Sequence, residues 1–111
     1  MEPDTYPLFA YGTLLDPQVQ QLVFGRQVPG HPDRLPGFVK RERSVAGRYA
    51  EVVRDPAEAG GVSGQRLELD GPELARADVY ETSLYAREVV ELASGVRAWV
   101  YLAARGKKDA P

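Results

Sequence analysis

The residues of this chain that could perform chemistry are carboxylates, hydroxyls, arginines and backbone amides. The 111 residues include no cysteine and a single histidine, His31. A zinc site of imidazole and thiolate ligands cannot be assembled within one such chain, and a Cys/His nucleophile pair is impossible. The sequence also lacks a phosphate-binding loop ending in Lys-Ser or Lys-Thr and a G-x-G-x-x-G motif. We therefore expect no metal and no cofactor.

The turn Tyr11-Gly12-Thr13-Leu14 is the first segment suited to holding a ligand. Gly12 allows close approach to the backbone, and Thr13 supplies a hydroxyl. The N–H groups of residues 12 to 15 precede a predicted helix, so we expect them to be free to face a carboxylate or a developing oxyanion. Taken alone, the same residues more often form a plain chain reversal with Tyr11 in the core.

Glu81, Tyr85 and Arg87 form the second candidate group. Glu81 is predicted at the end of a helix, and Tyr85 and Arg87 share one face of the strand that follows. A buried guanidinium requires an acidic partner, and the nearest acids in sequence are Asp78 and Glu81. These residues predict a polar pocket lined by Glu81, Tyr85 and Arg87. The alternatives are a solvated acid at a helix end and a stacked Tyr85–Arg87 pair that only holds the sheet.

Two helices are predicted to position these groups. The first has Asp16 as its N-cap and Gly25 as its C-terminal stop. The second begins after Asp70, has Glu73 at its third position as in a capping box, and ends near Glu81.

The remaining patterns predict short strands and turns. Pro- and Gly-rich residues 26–37, which include His31, are typical of a surface loop, and residues 55–61 of a turn. Strands are expected at Tyr6–Tyr11, Phe38–Glu42, Arg48–Val53, Val62–Leu69, Tyr85–Ala93 and Val96–Ala104. The result is an α+β fold of five to six strands and two helices.

The last two strands are predicted to form a hairpin. A two-residue turn at Ser94-Gly95 would pair Val89 with Val100. That register would place both valines, together with Arg87, on the face of the hairpin that packs on the core.

Composition and charge restrict the class of protein. With 43% hydrophobic and 27% charged residues, the chain is expected to be one domain over residues 1–111, with a flexible tail at 105–111. The net charge of −2 gives no basic patch for nucleic acid or an anionic membrane. The acidic start, the missing cysteines and the lack of any apolar run near ~20 residues predict a cytoplasmic protein with no membrane partner.

Four landmarks occur together and in order along the chain. They are Phe9-Ala10-Tyr11-Gly12-Thr13-Leu14, Val62-Ser63-Gly64, Glu81-x-x-x-Tyr85-x-Arg87 and Ala98-Trp99-Val100-Tyr101. This set resembles the gamma-glutamylcyclotransferase-like family, in particular its short bacterial branch, and is also similar to gamma-glutamylamine cyclotransferase. Two departures from the pattern stand out: Thr82 occupies a position where relatives often have glycine, and Ala50-Glu51 replaces a more usual Pro-Gly.

The resemblance implies a small mixed β barrel with flanking helices and a cavity at its end. It also implies that the Tyr11–Leu14 turn contacts a small-molecule γ-glutamyl substrate and that Glu81 is the general acid/base. The reaction would release 5-oxoproline and an amine or amino acid; the alternative is a non-catalytic binding module of the same fold. A monomer and a homodimer are both compatible with the sequence.

The proposed chemistry makes a demand on Glu81. An unperturbed glutamate, with a pKa near 4.3, is a poor acceptor for the proton of an α-ammonium of pKa about 8, by roughly 5 kcal/mol. Burial would raise the pKa of Glu81, whereas a close Arg87 would lower it. We therefore expect Arg87 to pair mainly with another acid or with the substrate carboxylate.

Overall fold

The computed structural model describes residues 5–104, which form seven strands and two α-helices. The strands are β1 Tyr6–Ala10, β2 Gly30–Leu35, β3 Phe38–Val45, β4 Tyr49–Arg54, β5 Val62–Leu69, β6 Tyr85–Glu91 and β7 Arg97–Ala103. The helices are α1 Pro17–Phe24 and α2 Gly71–Glu81, and 3-10 turns occupy Thr13–Leu15 and Thr82–Leu84. The tail predicted at 105–111 and the first four residues lie outside the described range.

The strands form two sheets. The larger has the order β2-β5-β1-β7-β6, with β1 antiparallel to β5 and parallel to β7, and the smaller is the β3–β4 hairpin. The α+β class is confirmed, but within residues 5–104 the larger sheet is not closed into the expected barrel. No helix in this range is long and apolar enough to cross a membrane.

The predicted loop at 26–37 was wrong, because Gly30–Leu35 forms β2. This strand pairs only with β5, at the edge of the sheet. An edge strand tolerates Pro32 because one side of its backbone needs no ladder hydrogen bonds. His31 is exposed on this strand.

Both helices begin as their sequences predict. The Asp16 side chain accepts from the N–H of Gln18 at 2.8 Å, and α1 ends at Gly25 with φ of 76°. At α2, Asp70 and Glu73 form both hydrogen bonds of a capping box, at 2.8 and 2.9 Å. These caps satisfy N–H groups that would otherwise lack partners at a helix start, and α2 ends at Glu81 as predicted.

The hairpin prediction was right in its existence and wrong in its register. Leu92 and Val96 close a three-residue loop, and Gly95 adopts φ of 91°. The loop is one residue longer than expected, so Val89 pairs with Trp99 rather than with Val100. Because side chains alternate along a strand, the slip places Val89 on the opposite face from Val100. Val89 is 42% exposed, whereas Val100 is fully buried.

The central sheet is covered on both faces. One face packs against α1 and α2, through Leu8, Ala10, Leu67, Leu69 and Tyr101 among others. The other packs toward the β3–β4 hairpin, through Phe9, Tyr11, Leu35, Phe38, Val52 and Val100 among others. The end of β1 lies where these two layers meet, and this placement creates the cavity described next.

Candidate functional site

A cavity of about 590 Å³ opens beside the end of β1. Two walls face it. The turn wall, formed by the turn after β1 and the end of α2, consists of Gly12, Thr13, Leu14, Tyr80 and Glu81. The hairpin wall, formed by β3, β4 and the turn between them, consists of Lys40, Glu42, Arg48, Tyr49 and Ala50. Tyr11, Tyr85 and Tyr101 are also among its lining residues. The volume is in the range of pockets that enclose whole small molecules.

Glu81 is the last residue of α2, and its half-buried side chain lines the cavity. Burial raises the pKa of this carboxyl to about 7. Its side chain makes no hydrogen bond or ion pair to any other residue within 5–104. A carboxyl in such an environment can exchange a proton near neutral pH.

The backbone next to Glu81 is in an unusual conformation. Thr82 has φ of 63° and ψ of −169°, a region that is essentially reserved for glycine. Its side-chain oxygen accepts from the N–H of Leu84 at 3.3 Å. Glycine, which the resemblance implies at this position, would adopt this conformation without strain, so the departure noted in the sequence leaves Thr82 in a strained conformation.

The turn after β1 offers backbone donors to the cavity. The N–H groups of Gly12, Thr13 and Leu14 donate to no other described residue. The expectation was wrong for Leu15, whose N–H donates to the carbonyl of Gly12 at 3.0 Å. A Cβ added to Gly12 would meet nothing within 4 Å, so space is left open above the turn.

A hydrogen bond joins the turn to the helix that carries Glu81. The hydroxyls of Thr13 and Tyr80 lie 2.8 Å apart. Tyr80 precedes Glu81 on α2, and sequence reasoning missed its contribution to the cavity. Its position next to the candidate acid was the available signal. The contact holds the two parts of the turn wall at a fixed separation.

Two tyrosines line the cavity with their hydroxyls already engaged. Tyr11 donates to the carbonyl of Tyr101 at 2.7 Å, and burial raises the pKa of Tyr11. Tyr85 donates to the carbonyl of Ala50 at 2.6 Å, and burial raises its pKa to about 12. Both phenols stay protonated at neutral pH. The Tyr85 contact ties the central sheet to the hairpin wall.

Arg87 does not line the cavity, so the predicted pocket of Glu81, Tyr85 and Arg87 does not form. Its guanidinium donates to Asp78 at 2.6 and 2.9 Å and stacks 4.4 Å from the ring centre of Trp99. Asp78 also accepts from the hydroxyl of Tyr101 at 2.7 Å. The hydrogen bonds from Arg87 lower the pKa of Asp78. Arg87 therefore has the acidic partner expected for it, and Glu81 is left without a cation.

The charged residues of the hairpin wall were not singled out from the sequence. Lys40 pairs with Glu42 at 3.4 Å. The guanidinium of Arg48 lies 5.4 Å from the ring centre of Tyr49 and has no carboxylate partner in the part of the chain that the structure describes. Within the same part, no group of three or more Asp, Glu, His or Cys residues could hold a metal.

The chain is similar to a known protein family and to several solved structures. The family model described as "Gamma-glutamyl cyclotransferase, AIG2-like" matches residues 8–111, and no curated protein matches the sequence. A solved protein from Arabidopsis thaliana is 26% identical, with a TM-score of 0.79, over 99% of this chain and 67% of its own. A second solved protein from Arabidopsis thaliana is 23% identical, with a TM-score of 0.79, and the match covers 100% of this chain and 75% of that protein. A solved structure of a protein named gamma-glutamyl cyclotransferase is 18% identical, with a TM-score of 0.74, and the match covers 89% of this chain and 66% of that protein.

Proposed function

Because the chain belongs to the AIG2-like gamma-glutamyl cyclotransferase family, we propose that it cyclises a γ-glutamyl compound to 5-oxoproline with Glu81 as general acid/base. One observation carries the proposal. A carboxyl whose pKa is raised to about 7 by burial shares a cavity with three backbone N–H groups that have no described partner. A base and a set of oxyanion donors are the two elements that an acyl transfer requires.

The nucleophile in this reaction belongs to the substrate. Its α-amine attacks its own γ-carbonyl carbon, the new C–N bond closes a five-membered ring, and the γ-amide C–N bond breaks. Starting from the α-ammonium, the attacking nitrogen loses two protons and the leaving amine gains two, one of them through Glu81, so no water or other reactant is consumed. Holding the two ends of one molecule together supplies much of the rate, since effective molarities of about 10⁵ to 10⁸ M are known for well-oriented intramolecular attack.

Glu81 carries the proton between the two amines. With a pKa of about 7, its carboxylate is only about one unit less basic than an α-amine of pKa about 8, so the transfer costs roughly 1 kcal/mol rather than 5. The resulting acid then donates to the departing nitrogen. Because Arg87 is bound to Asp78, it does not lower the pKa of Glu81.

The turn wall would hold the glutamyl group. The N–H groups of Gly12, Thr13 and Leu14 donate to no acceptor among the described residues, and they suit either the γ-carbonyl oxygen or the α-carboxylate of the substrate. The hydrogen bond between Thr13 and Tyr80 would keep these donors at a constant distance from the helix end. Tyr85 would close the side of the cavity by its ring.

The test is formation of 5-oxoproline. The protein is incubated with γ-glutamyl amino acids, γ-glutamyl amines and glutathione, and the product is followed by mass spectrometry. Glu81→Gln keeps the shape of the side chain and removes its basicity, and Glu91→Gln makes the same change at an exposed position of β6. The proposal expects product with the wild type and with Glu91→Gln, and almost none with Glu81→Gln. Binding of these compounds without any 5-oxoproline would instead identify a binding module of the same fold.

A further inference from the structure

The hairpin wall contains a cation that the cyclisation chemistry does not use. Arg48 lines the cavity, is exposed, and contacts no carboxylate within residues 5–104. Its neighbours Lys40 and Glu42 neutralise each other in an ion pair of 3.4 Å. The hairpin wall therefore presents one net positive charge to the cavity, and that charge belongs to Arg48.

Arg48 contacts the residue that follows it, and that segment of chain is joined to the central sheet. The ring of Tyr49 lies under its guanidinium at 5.4 Å, and the carbonyl of Ala50 accepts a hydrogen bond from Tyr85 at 2.6 Å. Strand β4, which begins directly after Arg48, is thus tied to the central sheet next to the cavity. A guanidinium held over a ring keeps its N–H groups available, since the stacking contact uses only its face.

A γ-glutamyl compound consists of a glutamyl group and a leaving part, and the two would contact different walls of the cavity. Its glutamyl group must lie against the turn wall, where the free N–H groups and Glu81 are found. The cavity of about 590 Å³ is larger than that group needs, so the leaving part extends toward the hairpin wall. The groups that this second part meets include three charged side chains, Lys40, Glu42 and Arg48, and a leaving part without a charge of its own would gain little from them.

We propose that Arg48 binds a carboxylate on the leaving part of the substrate and so selects γ-glutamyl amino acids over γ-glutamyl amines. This inference rests on the proposed cyclotransferase function. A guanidinium matches a carboxylate in charge and in planar geometry, and can form two parallel hydrogen bonds to it. The leaving amino acid carries its carboxylate one carbon from the nitrogen that is released.

Two substrates that differ in this carboxylate alone provide the test. γ-Glutamylglycine releases glycine, and γ-glutamylmethylamide releases methylamine. We expect the wild type to have the higher kcat/KM for γ-glutamylglycine, and Arg48→Gln to lower the ratio of the two kcat/KM values about tenfold, the lower end for a charge-assisted hydrogen bond at an exposed site. Arg48→Lys should restore part of the ratio. Arg97→Gln, which removes an exposed arginine outside the cavity, should leave the ratio unchanged.

The failures can be told apart. If Arg48→Gln lowers both kcat/KM values equally, Arg48 binds the shared glutamyl group or supports the fold, and the inference is overturned while the cyclotransferase function stands. If the wild type releases no 5-oxoproline from either compound, the proposed function fails. The inference is then decided by calorimetry: tighter binding of γ-glutamylglycine that is lost in Arg48→Gln supports it, and equal affinities for the two compounds overturn it.

Discussion

The two walls of the cavity are built on different principles. The turn wall joins the central sheet to α2 and contains buried Leu14 and half-buried Glu81 beside the exposed residues Gly12, Thr13 and Tyr80. The hairpin wall lies on a separate two-stranded sheet and carries exposed charges. Burial at the end of α2 thus shifts the pKa of Glu81 on the turn wall, whereas the hairpin wall supplies the exposed charges to which the proposed selection is assigned. The difference suggests that reaction and selection are assigned to different parts of the fold.

The comparison is tested most severely by Glu81→Gln. We expect kcat to fall by about 10² to 10⁴, the usual contribution of a general base, while KM changes little because glutamine keeps the size of the side chain. Steady-state assay of 5-oxoproline measures this loss. A variant that retains more than about a third of the wild-type kcat would show that the turn wall does not supply the base.

The same substitution should stabilise the fold at alkaline pH. The folded protein holds the Glu81 proton at a pKa of about 7, against 4.5 in an unfolded chain, so the favourable term is complete below pH 4.5 and is lost as pH rises to about 7. The free energy of unfolding of Glu81→Gln, compared with that of the wild type, should therefore be up to about 3 kcal/mol more favourable at pH 8 than at pH 4. Urea unfolding at both pH values measures it. Equal stabilities throughout would mean that Glu81 is not desolvated.

The substitution Gly12→Ala tests whether the bound substrate fills the open space above the turn. The added methyl group meets no protein atom within 4 Å, so the free energy of unfolding should change by less than about 1 kcal/mol. If substrate fills that space, kcat/KM should fall about tenfold or more. Gly60→Ala, at another open glycine that does not line the cavity, is the matched control. Equal activities of the two variants would leave the turn with a purely structural role.

The smallest effect is expected at Thr82. Thr82→Gly should relieve the conformation at φ of 63°, and after the entropy cost of glycine we expect a net stabilisation of about 1 kcal/mol. Thr82→Ala retains a Cβ in that conformation and loses the hydrogen bond to Leu84, so it should not stabilise the protein. Thermal unfolding of both variants distinguishes them. A destabilised Thr82→Gly would show that the threonine is held without strain.

What could be predicted from the sequence depended on how local the determining contacts are. The caps of α1 and α2 act within three residues, and their positions at Asp16 and Asp70 were predicted correctly. The hairpin register depended on one residue of the loop, since Gly95 supplies a left-handed conformation that makes the loop three residues long. Strand β2 was missed because its Pro and Gly content is that of a loop, and only its pairing with β5, about thirty residues away, makes it a strand.

The candidate site divides in the same way. The resemblance pointed to Glu81 and to the Tyr11–Leu14 turn, and both line the cavity. The pairing of Arg87 with an acid other than Glu81 was expected, but its absence from the cavity could not be predicted, because it depends on how α2 packs against β6 and β7. The hairpin wall could not be predicted either, because Arg48 and Glu81 line the same cavity only after the two sheets pack together.

The most direct test of the account is a titration of the Glu81 carboxyl by NMR in the free protein, with Glu81→Gln used to assign its signal. A half-buried carboxyl with no cation bound to it is expected to titrate with a pKa near 7. A value below 5 would contradict the claim that this residue accepts the proton of the attacking amine.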